Sequence, residues 1–545
     1  MADDSTTRPG SSSAGGARAA TEGATHRPGE GAAPPRERRY LTTPIYYATG
    51  EPHIGHAYTT LLADTLARYH RQAGRDVLFL TGTDEHGQKI QEEAARREIT
   101  PIELCDEMAK RFVSAWERLD VSYDRFIRTT EQEHIAVVQA FLERLKARDL
   151  IYDAQYRGWY CVHEERYWTE KDLGPERNCP DCGRPVREIE EKNYFFRMSG
   201  FQQALLRHIQ QNPEWIFPES RRNEVVGFLQ KPLEDLSISR PRSRLQWGVP
   251  LPWDAEHVTY VWVDALVNYV TASGVIDPGK PQESAVDSWW PADLHLLGKD
   301  ILTTHAVYWP TLLLGAGLPL PRRLLSHGWW VVGETKMSKS LGNVVDPLAL
   351  EAEFGADAVR WYLLREMPTG GDASYTPERF AARYEELANI LGNLASRVIS
   401  MVDRYRGGSV SGTPGDGLRA ACDAAIARFT EAMEGLRIHE ALAAAMELAR
   451  TANGYVEDRE PWAQAKDEAR AAELDETLAS LLRALAVASS LLAPVMPTRM
   501  AELARRLGLE GPPTFAALPA LEVQGLRVQK GAPLFPRQDA GKNLT

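Results

Sequence analysis

The stretch Tyr40-Leu41-Thr42-Thr43-Pro44-Ile45-Tyr46-Tyr47-Ala48-Thr49-Gly50-Glu51-Pro52-His53-Ile54-Gly55-His56 reads as a strand, a turn and the start of a helix. Tyr40 to Tyr47 is rich in β-branched and aromatic residues, and Ala48 to Pro52 carries the Gly and Pro of a turn. From Ile54 to Ala73 apolar residues fall at Ala57, Leu61, Leu62, Leu66 and Tyr69, the spacing of a helix with one buried face. A strand feeding a helix through a short loop is how phosphate groups come to lie at helix N-termini. His53 and His56 stand where such a phosphate would sit.

Far downstream, Lys336-Met337-Ser338-Lys339-Ser340 forms a second polar signature, flanked by Gly333-Glu334-Thr335 and Leu341-Gly342-Asn343. The loop is small and polar, which suits a mobile lid. Transfer at phosphorus gathers negative charge on the phosphorus oxygens and on a departing pyrophosphate, and two histidines and two lysines are donors of the kind that charge needs. Either motif alone reads as an ordinary solvated loop. Together, in this order and with a strand and helix around the first, they are specific.

On these two motifs the chain resembles the class I aminoacyl-tRNA synthetases, and it looks like the methionyl branch of that family. The resemblance runs from about Tyr40 to the last fifty residues. It implies an α/β fold in which a Rossmann-type parallel sheet is split by a connective insertion and followed by an all-α anticodon-binding bundle. The expected order is a disordered tail at 1–38, the first Rossmann half at 39–120, the insertion at 121–257, the second half at 258–325, the lysine-signature and stem-contact region at 326–380, and the helical domain at 381–545. The resemblance also implies the reaction: activation of L-methionine with ATP and Mg2+ to an adenylate, then transfer to tRNA(Met). His53, His56, Lys336 and Lys339 would act in catalysis, with Gly55, Gly298 and Asp300 beside the nucleotide.

Val77-Leu78-Phe79-Leu80 is a short apolar strand followed by Thr81-Gly82-Thr83-Asp84-Glu85-His86-Gly87. Ligand contacts belong at the carboxyl end of such a strand. Asp84 there can hold an α-ammonium by a charge-assisted bond, the role of the matching aspartate in the methionyl branch, or can cap the next helix. Val258 to Tyr269 passes from a strand pattern to a helix, bringing Trp262 and Tyr269. A thioether is long, apolar and polarizable, so aromatic walls complement it. The resemblance assigns Ile45, Tyr47, Trp262, Ala265, Leu266, Tyr269 and His305 to that pocket. Without it, Trp262 and Tyr269 read as core.

The insertion carries Cys161-Val162-His163-Glu164 and Cys179-Pro180-Asp181-Cys182-Gly183. The second is half of a zinc knuckle; the first has one cysteine where relatives have two. Zinc accepts oxygen and imidazole as well as sulfur, so the expected structural site is Cys161, Cys179 and Cys182 with Glu164 or His163 as fourth ligand. Leucyl, isoleucyl and valyl relatives carry a larger editing insertion, for which this chain has no room. A cysteinyl enzyme and a non-catalytic synthetase-derived tRNA binder remain as alternatives; the roomy aromatic set speaks against the first and the intact signatures against the second.

Long amphipathic helices are expected over Tyr384–Met401, Asp416–Met433, Ile438–Glu457 and Glu473–Ala493, a bundle. Two spots resemble the family's anticodon site: Asn393 and Arg397, one turn apart, and Trp462, whose ring could carry an unstacked base or simply pack in the bundle. The chain has 545 residues, too many for one core, and a net charge of −12 from 63 basic and 75 acidic residues, which excludes a generally basic nucleic-acid coat. Arg240-Pro241-Arg242-Ser243-Arg244 is a local basic patch or a solvated turn. Five cysteines without disulfide-like spacing and no apolar run of membrane length point to the cytoplasm. The first 38 residues lack Val, Ile, Leu, Phe, Tyr and Trp and cannot bury a core. Some methionyl enzymes dimerise through a C-terminal appendage, and no large extra domain follows Pro512, so a monomer is expected.

Overall fold

The computed structural model describes residues 36–536 except 163–165, 169, 174–175, 181, 334 and 337–343, and of Arg166, Thr335 and Lys336 the backbone alone. The central sheet has seven parallel strands: β1 (Arg38–Thr42), β2 (Tyr46–Tyr47), β3 (Asp76–Asp84), β4 (Arg125–Arg128), β8 (Ile216–Phe217), β13 (Leu294–Gly298) and β14 (Leu324–His327). Their spatial order is β2-β3-β1-β13-β14-β8, with β4 also on β3, where Leu80 is matched by both Thr42 and Arg125. The predicted strand over 40–47 is broken in two because Pro44 has no N–H to give the ladder.

Two of the expected boundaries shift. β4 and β8 both fall inside 121–257, yet both pair in the main sheet. Parallel strands buried on both faces need partners on each side, so the sheet recruits them from the flanks of the insertion. The tail expected over 1–38 must also end earlier, since Arg38 opens β1 opposite Asp76 and Glu37 pairs with Arg75. Residues 1–35 lie outside the described residues.

Between these flanks β5 (Ile151–Cys161), β6 (Arg166–Trp168), β7 (Arg187–Phe196) and β9 (Leu236–Ser237) form an antiparallel sheet, and β10 (Ser239–Pro241), β11 (Pro250–Leu251) and β12 (Asp254–Thr259) a second. Arg240 is not part of a surface patch. It is buried, with its guanidinium 4.2 Å from the Tyr260 ring and 4.4 Å from that of Tyr167. Arg244 pairs with Glu191 at 3.0 Å, which leaves Arg242 as the exposed arginine of the run.

After the main sheet, β15 (Trp330–Val332), β16 (Thr335–Lys336) and β17 (Ala373–Tyr375) make a small sheet that leads to helices. The bundle helices span Asp416–Glu434, Ile438–Arg459 and Ala471–Leu492, within two residues of the predicted bounds at every end. The last is buried almost all round, as a central bundle helix must be. The predicted helix over Tyr384–Met401 is instead Pro377–Glu386, a wide-turn segment Leu387–Gly392, and Asn393–Arg406. Among the described residues no helix is long and apolar enough to cross a membrane.

One apolar core runs from the sheet into the bundle, and a buried ion pair crosses it. Arg360, on the helix Ala356–Glu366, donates to Asp64 Oδ2 at 2.6 Å, and both side chains are fully buried. The same guanidinium donates to the carbonyls of Leu119, Asp120, Pro494 and Val495. Asp64 lies on the helix Ile54–Gln72 that follows the His53 loop, so one side chain ties that helix to the bundle.

Candidate active site

The helix Ile54–Gln72 begins with a cap made by the two histidines themselves. Gly55 N–H donates to His53 Nδ1 at 3.1 Å, and His53 N–H donates to His56 Nδ1 at 3.4 Å. The rings stack, with centroids 3.8 Å apart. Each neutral ring accepts through Nδ1, so its own proton sits on Nε2. Gly55 is needed here because a Cβ would stand 2.9 Å from His53 Cε1. The sequence spacing thus yields two N–H donors at a helix N-terminus, where the backbone already favours an anion.

A cavity of about 290 Å³ opens beside this cap. Ile45, Tyr47, His53, Gly55, His56, Asp84, Trp262, Ala265, Leu266, Tyr269, Gly298, Asp300 and His305 all line it. Ile45, Tyr47, Asp84, Gly298 and Asp300 stand at or beside the ends of β2, β3 and β13, His53, Gly55 and His56 at the start of the helix Ile54–Gln72, His305 in the helical segment Thr304–Tyr308, and Trp262, Ala265, Leu266 and Tyr269 on one face of the helix Val261–Ser273. Asp84 ends β3 and is almost wholly buried. It does not cap the next helix, Gln88–Arg96, whose N-cap is Gly87.

The inner wall is a chain of buried polar groups on aromatic rings. Tyr269 O–H and His305 Nε2 are 2.8 Å apart, and His305 Nδ1 lies 3.0 Å from the Ile301 carbonyl. That carbonyl can only accept, so Nδ1 carries the proton and Nε2 takes the one from Tyr269. Burial holds the His305 pKa down at about 4, so the ring is neutral at physiological pH, and burial raises that of Tyr269. Tyr47 meets Trp262 edge-on at 6.3 Å. The wall is thus aromatic, polarizable and uncharged.

At the other end, the Trp329 indole N–H donates to Asp300 Oδ1 at 3.2 Å. A Cβ on Gly298 would fall 2.6 Å from that same oxygen, which is why glycine precedes this carboxylate. Thr59, Asn268, His327, Trp329 and Trp330 also line the cavity and were not singled out from the sequence. His327 ends the strand Leu324–His327 and Trp329 and Trp330 follow it, so the strand-end rule applied to Asp84 reaches them equally well. Lys339 lies outside the described residues, and of Lys336 only the backbone, in β16, is described.

In the insertion the Sγ atoms of Cys161, Cys179 and Cys182 lie within 4.8 Å of one another, with Cys161 and Cys182 3.6 Å apart. The turn is closed by Gly183 N–H on the Cys179 carbonyl and Cys179 N–H on that of Arg184. Three converging sulfurs suit one soft divalent ion at a metal–sulfur distance of about 2.3 Å. Burial is the largest influence on the Cys182 thiol, pushed up to about 12, so ionised cysteines here call for a cation. His163 and Glu164 lie outside the described residues.

In the bundle Asn393 is exposed and Arg397 pairs with Glu457 at 2.6 Å. Trp462, in the short helix Pro461–Gln464, is partly buried against the bundle core.

The chain is similar to known proteins over most of its length. A family described as "tRNA synthetases class I (M)" matches residues 39–399, and one described as "Anticodon-binding domain of tRNA ligase" matches 417–530. The chain is 43% identical over 530 residues to a methionine–tRNA ligase of Halalkalibacterium halodurans, covering 93% of this chain and 79% of that one. It is 41% identical over 526 residues to that of Bacillus subtilis, with 93% and 78% covered. Mycobacterium tuberculosis methionyl-tRNA synthetase in complex with methionyl-adenylate is similar in structure, with a TM-score of 0.87 and 40% identity over 92% of this chain and 100% of that one.

Proposed function

The chain belongs to the class I methionyl-tRNA synthetases, and from this we propose how its cavity activates methionine for transfer to tRNA(Met). The observation that carries the proposal is the meeting, in one cavity, of two histidine donors at a helix N-terminus, a buried carboxylate and an uncharged aromatic wall. Asp84 holds the α-ammonium group. Ile45, Tyr47, Trp262, Ala265, Leu266, Tyr269 and His305 enclose the thioether chain, and Gly298 and Asp300 bind the ribose. A methionine carboxylate oxygen attacks the α-phosphorus of ATP, the bond to the β-phosphate bridging oxygen breaks, and pyrophosphate leaves. His53 and His56 donate to the oxygens that gain charge, and Lys336 and Lys339 draw off pyrophosphate; Mg2+, when bound with ATP, neutralises phosphate charge. A hydroxyl of the terminal tRNA adenosine then attacks the methionyl carbonyl and AMP departs. Positioning and charge carry the rate, and no protein nucleophile is required.

The test is amino-acid-dependent exchange of labelled pyrophosphate into ATP over a panel of amino acids. Exchange with methionine is the expected result. Exchange with cysteine alone, or with none, overturns the proposal.

We further propose that the three-cysteine cluster holds structural zinc, with Glu164 or His163 as fourth ligand. Purified protein should carry about one zinc per chain by elemental analysis, and Cys182→Ser should release it, as metal affinity depends on every thiolate. Metal-free wild-type protein refutes this. Asn393, Arg397 and Trp462 are proposed to read the anticodon. Trp462→Ala should raise KM for tRNA about 10-fold, within the ~1–3 kcal/mol of one stacked base, and leave tRNA-free exchange unchanged. Equal loss in both assays would mean that Trp462 only packs the bundle.

A further inference from the structure

Holding methionine at both ends requires two distant pieces of chain to stand in fixed register. Asp84, for the ammonium group, ends β3; Trp262, Ala265, Leu266 and Tyr269, for the thioether chain, lie on the helix Val261–Ser273. The insertion separates them in sequence. What holds them together is not a residue of the cavity.

Asp264 sits on that same helix but not among the residues lining the cavity. It is fully buried, and a carboxylate in such a place needs a partner for each oxygen. Both are present. His86 Nδ1 lies 2.7 Å from Asp264 Oδ2, and His134 Nε2 lies 2.9 Å from Asp264 Oδ1. Burial alone would push the Asp264 carboxyl up; the two imidazoles outweigh it and hold the pKa at about 2. The carboxylate is therefore ionised and accepts an N–H from each ring. Beyond it, His134 Nδ1 meets Thr271 Oγ1 at 3.0 Å, two turns further along the same helix.

The two histidines come from different elements. His86 follows Asp84 by two residues in the loop after β3, and His134 lies in the helix Gln132–Lys146 that follows β4. The loop is pinned from its other side as well. Glu85, fully buried, takes hydrogen bonds from Thr83, Arg128 and Thr130, and its carbonyl accepts from the Trp247 indole. The loop that follows Asp84 is thus held by Glu85 on one side and joined by His86 to Asp264 on the helix that carries the thioether wall.

We infer that Asp264, with His86 and His134, is a positioning cluster that fixes the ammonium anchor against the thioether wall and so sets the affinity for methionine. The inference rests on the methionine reading above. Substrate held at both ends tolerates little error, since a displacement of about 1 Å can cost about 10²-fold. Nucleotide contacts at His53, His56 and Asp300 stand on other segments. The effect should fall on methionine rather than on ATP.

The test is methionine-dependent pyrophosphate exchange by the full-length protein, with melting temperature measured alongside. Asp264→Asn should raise KM for methionine about 10-fold or more and leave KM for ATP within about 2-fold. His86→Asn keeps a donor near the Nδ1 position and should stay within about 3-fold of wild type, whereas His86→Leu should match Asp264→Asn. If Asp264→Asn does not fold, the His86 pair decides. KM for methionine unchanged in His86→Leu, or KM for both substrates rising together as melting falls, overturns the inference. Wild-type protein that shows no methionine-dependent exchange would fail before any variant is made, and it is the underlying reading that falls first in that case.

Discussion

Alanine at His53 is expected to slow methionine-dependent pyrophosphate exchange by about 10²–10³-fold, the loss typical of removing one donor aimed at transition-state charge. The Nδ1 atom of His53 is occupied by the Gly55 N–H, so the proton that can meet a phosphorus oxygen is on Nε2. Such a contact strengthens only as charge develops. kcat and kcat/KM should therefore fall together, with KM for methionine little changed. His53 is also a helix cap, and alanine removes about 1 kcal/mol of capping as well. His53→Asn separates the two roles. Asparagine caps well, so the helix should keep its stability while the shorter side chain no longer reaches as the imidazole does. An asparagine variant with near-wild-type kcat would show that His53 serves the helix and not the reaction.

The largest loss of stability is expected from Arg360→Met. Removing one member of a buried ion pair costs about 3–5 kcal/mol, because its partner is left charged without solvent. Here the methionine would also strand the carbonyls of Leu119, Asp120, Pro494 and Val495. Urea unfolding followed by tryptophan fluorescence measures the effect, and a midpoint unchanged from wild type would contradict it. The pH dependence has a definite sign. Burial alone pushes the Asp64 carboxyl up, but Arg360 and then Arg68 outweigh it and hold the group below its usual value of 3.8. A carboxyl lowered in the folded state adds stability that is complete above the unfolded value and lost as pH falls through the folded one. The gap between wild type and Arg360→Met should be widest near neutrality and should narrow in strong acid, where only the part due to the four carbonyls remains.

How much of this was legible beforehand follows from the range of the forces involved. The helix after His53 and the bundle helices are local in origin, written in apolar spacing and caps, and their limits fall close to the predicted ones. Asp84 could be placed at the cavity because strand ends in a parallel sheet face ligands, and Asp300 and the pocket side of Trp262 to Tyr269 because the family resemblance named them. Pairing between distant segments could not be read. β4 and β8 look like parts of the insertion until a sheet is present for them to join. Arg240 looks like a surface cation until three tyrosine rings close on it. Asp264, inside an apolar run, gives no sign that two histidines from elsewhere will meet its carboxylate. His327 and Trp329 stand at the end of the strand Leu324–His327, where the strand-end rule reaches them as it does Asp84.

The central sheet carries one further consequence, for the order in which the chain can be made. β1 lies between β3 and β13, and its contact with β13 joins residues 253 positions apart, as at Thr42 and His295. At ribosomal rates of about 5–20 residues per second, roughly 13–50 s separate the emergence of these two strands. Throughout that interval β1, apolar at Leu41, offers one open edge to whatever strand arrives first. The nascent protein is thus a substrate for chaperones, or for a neighbouring copy of itself, before it can act on any substrate of its own.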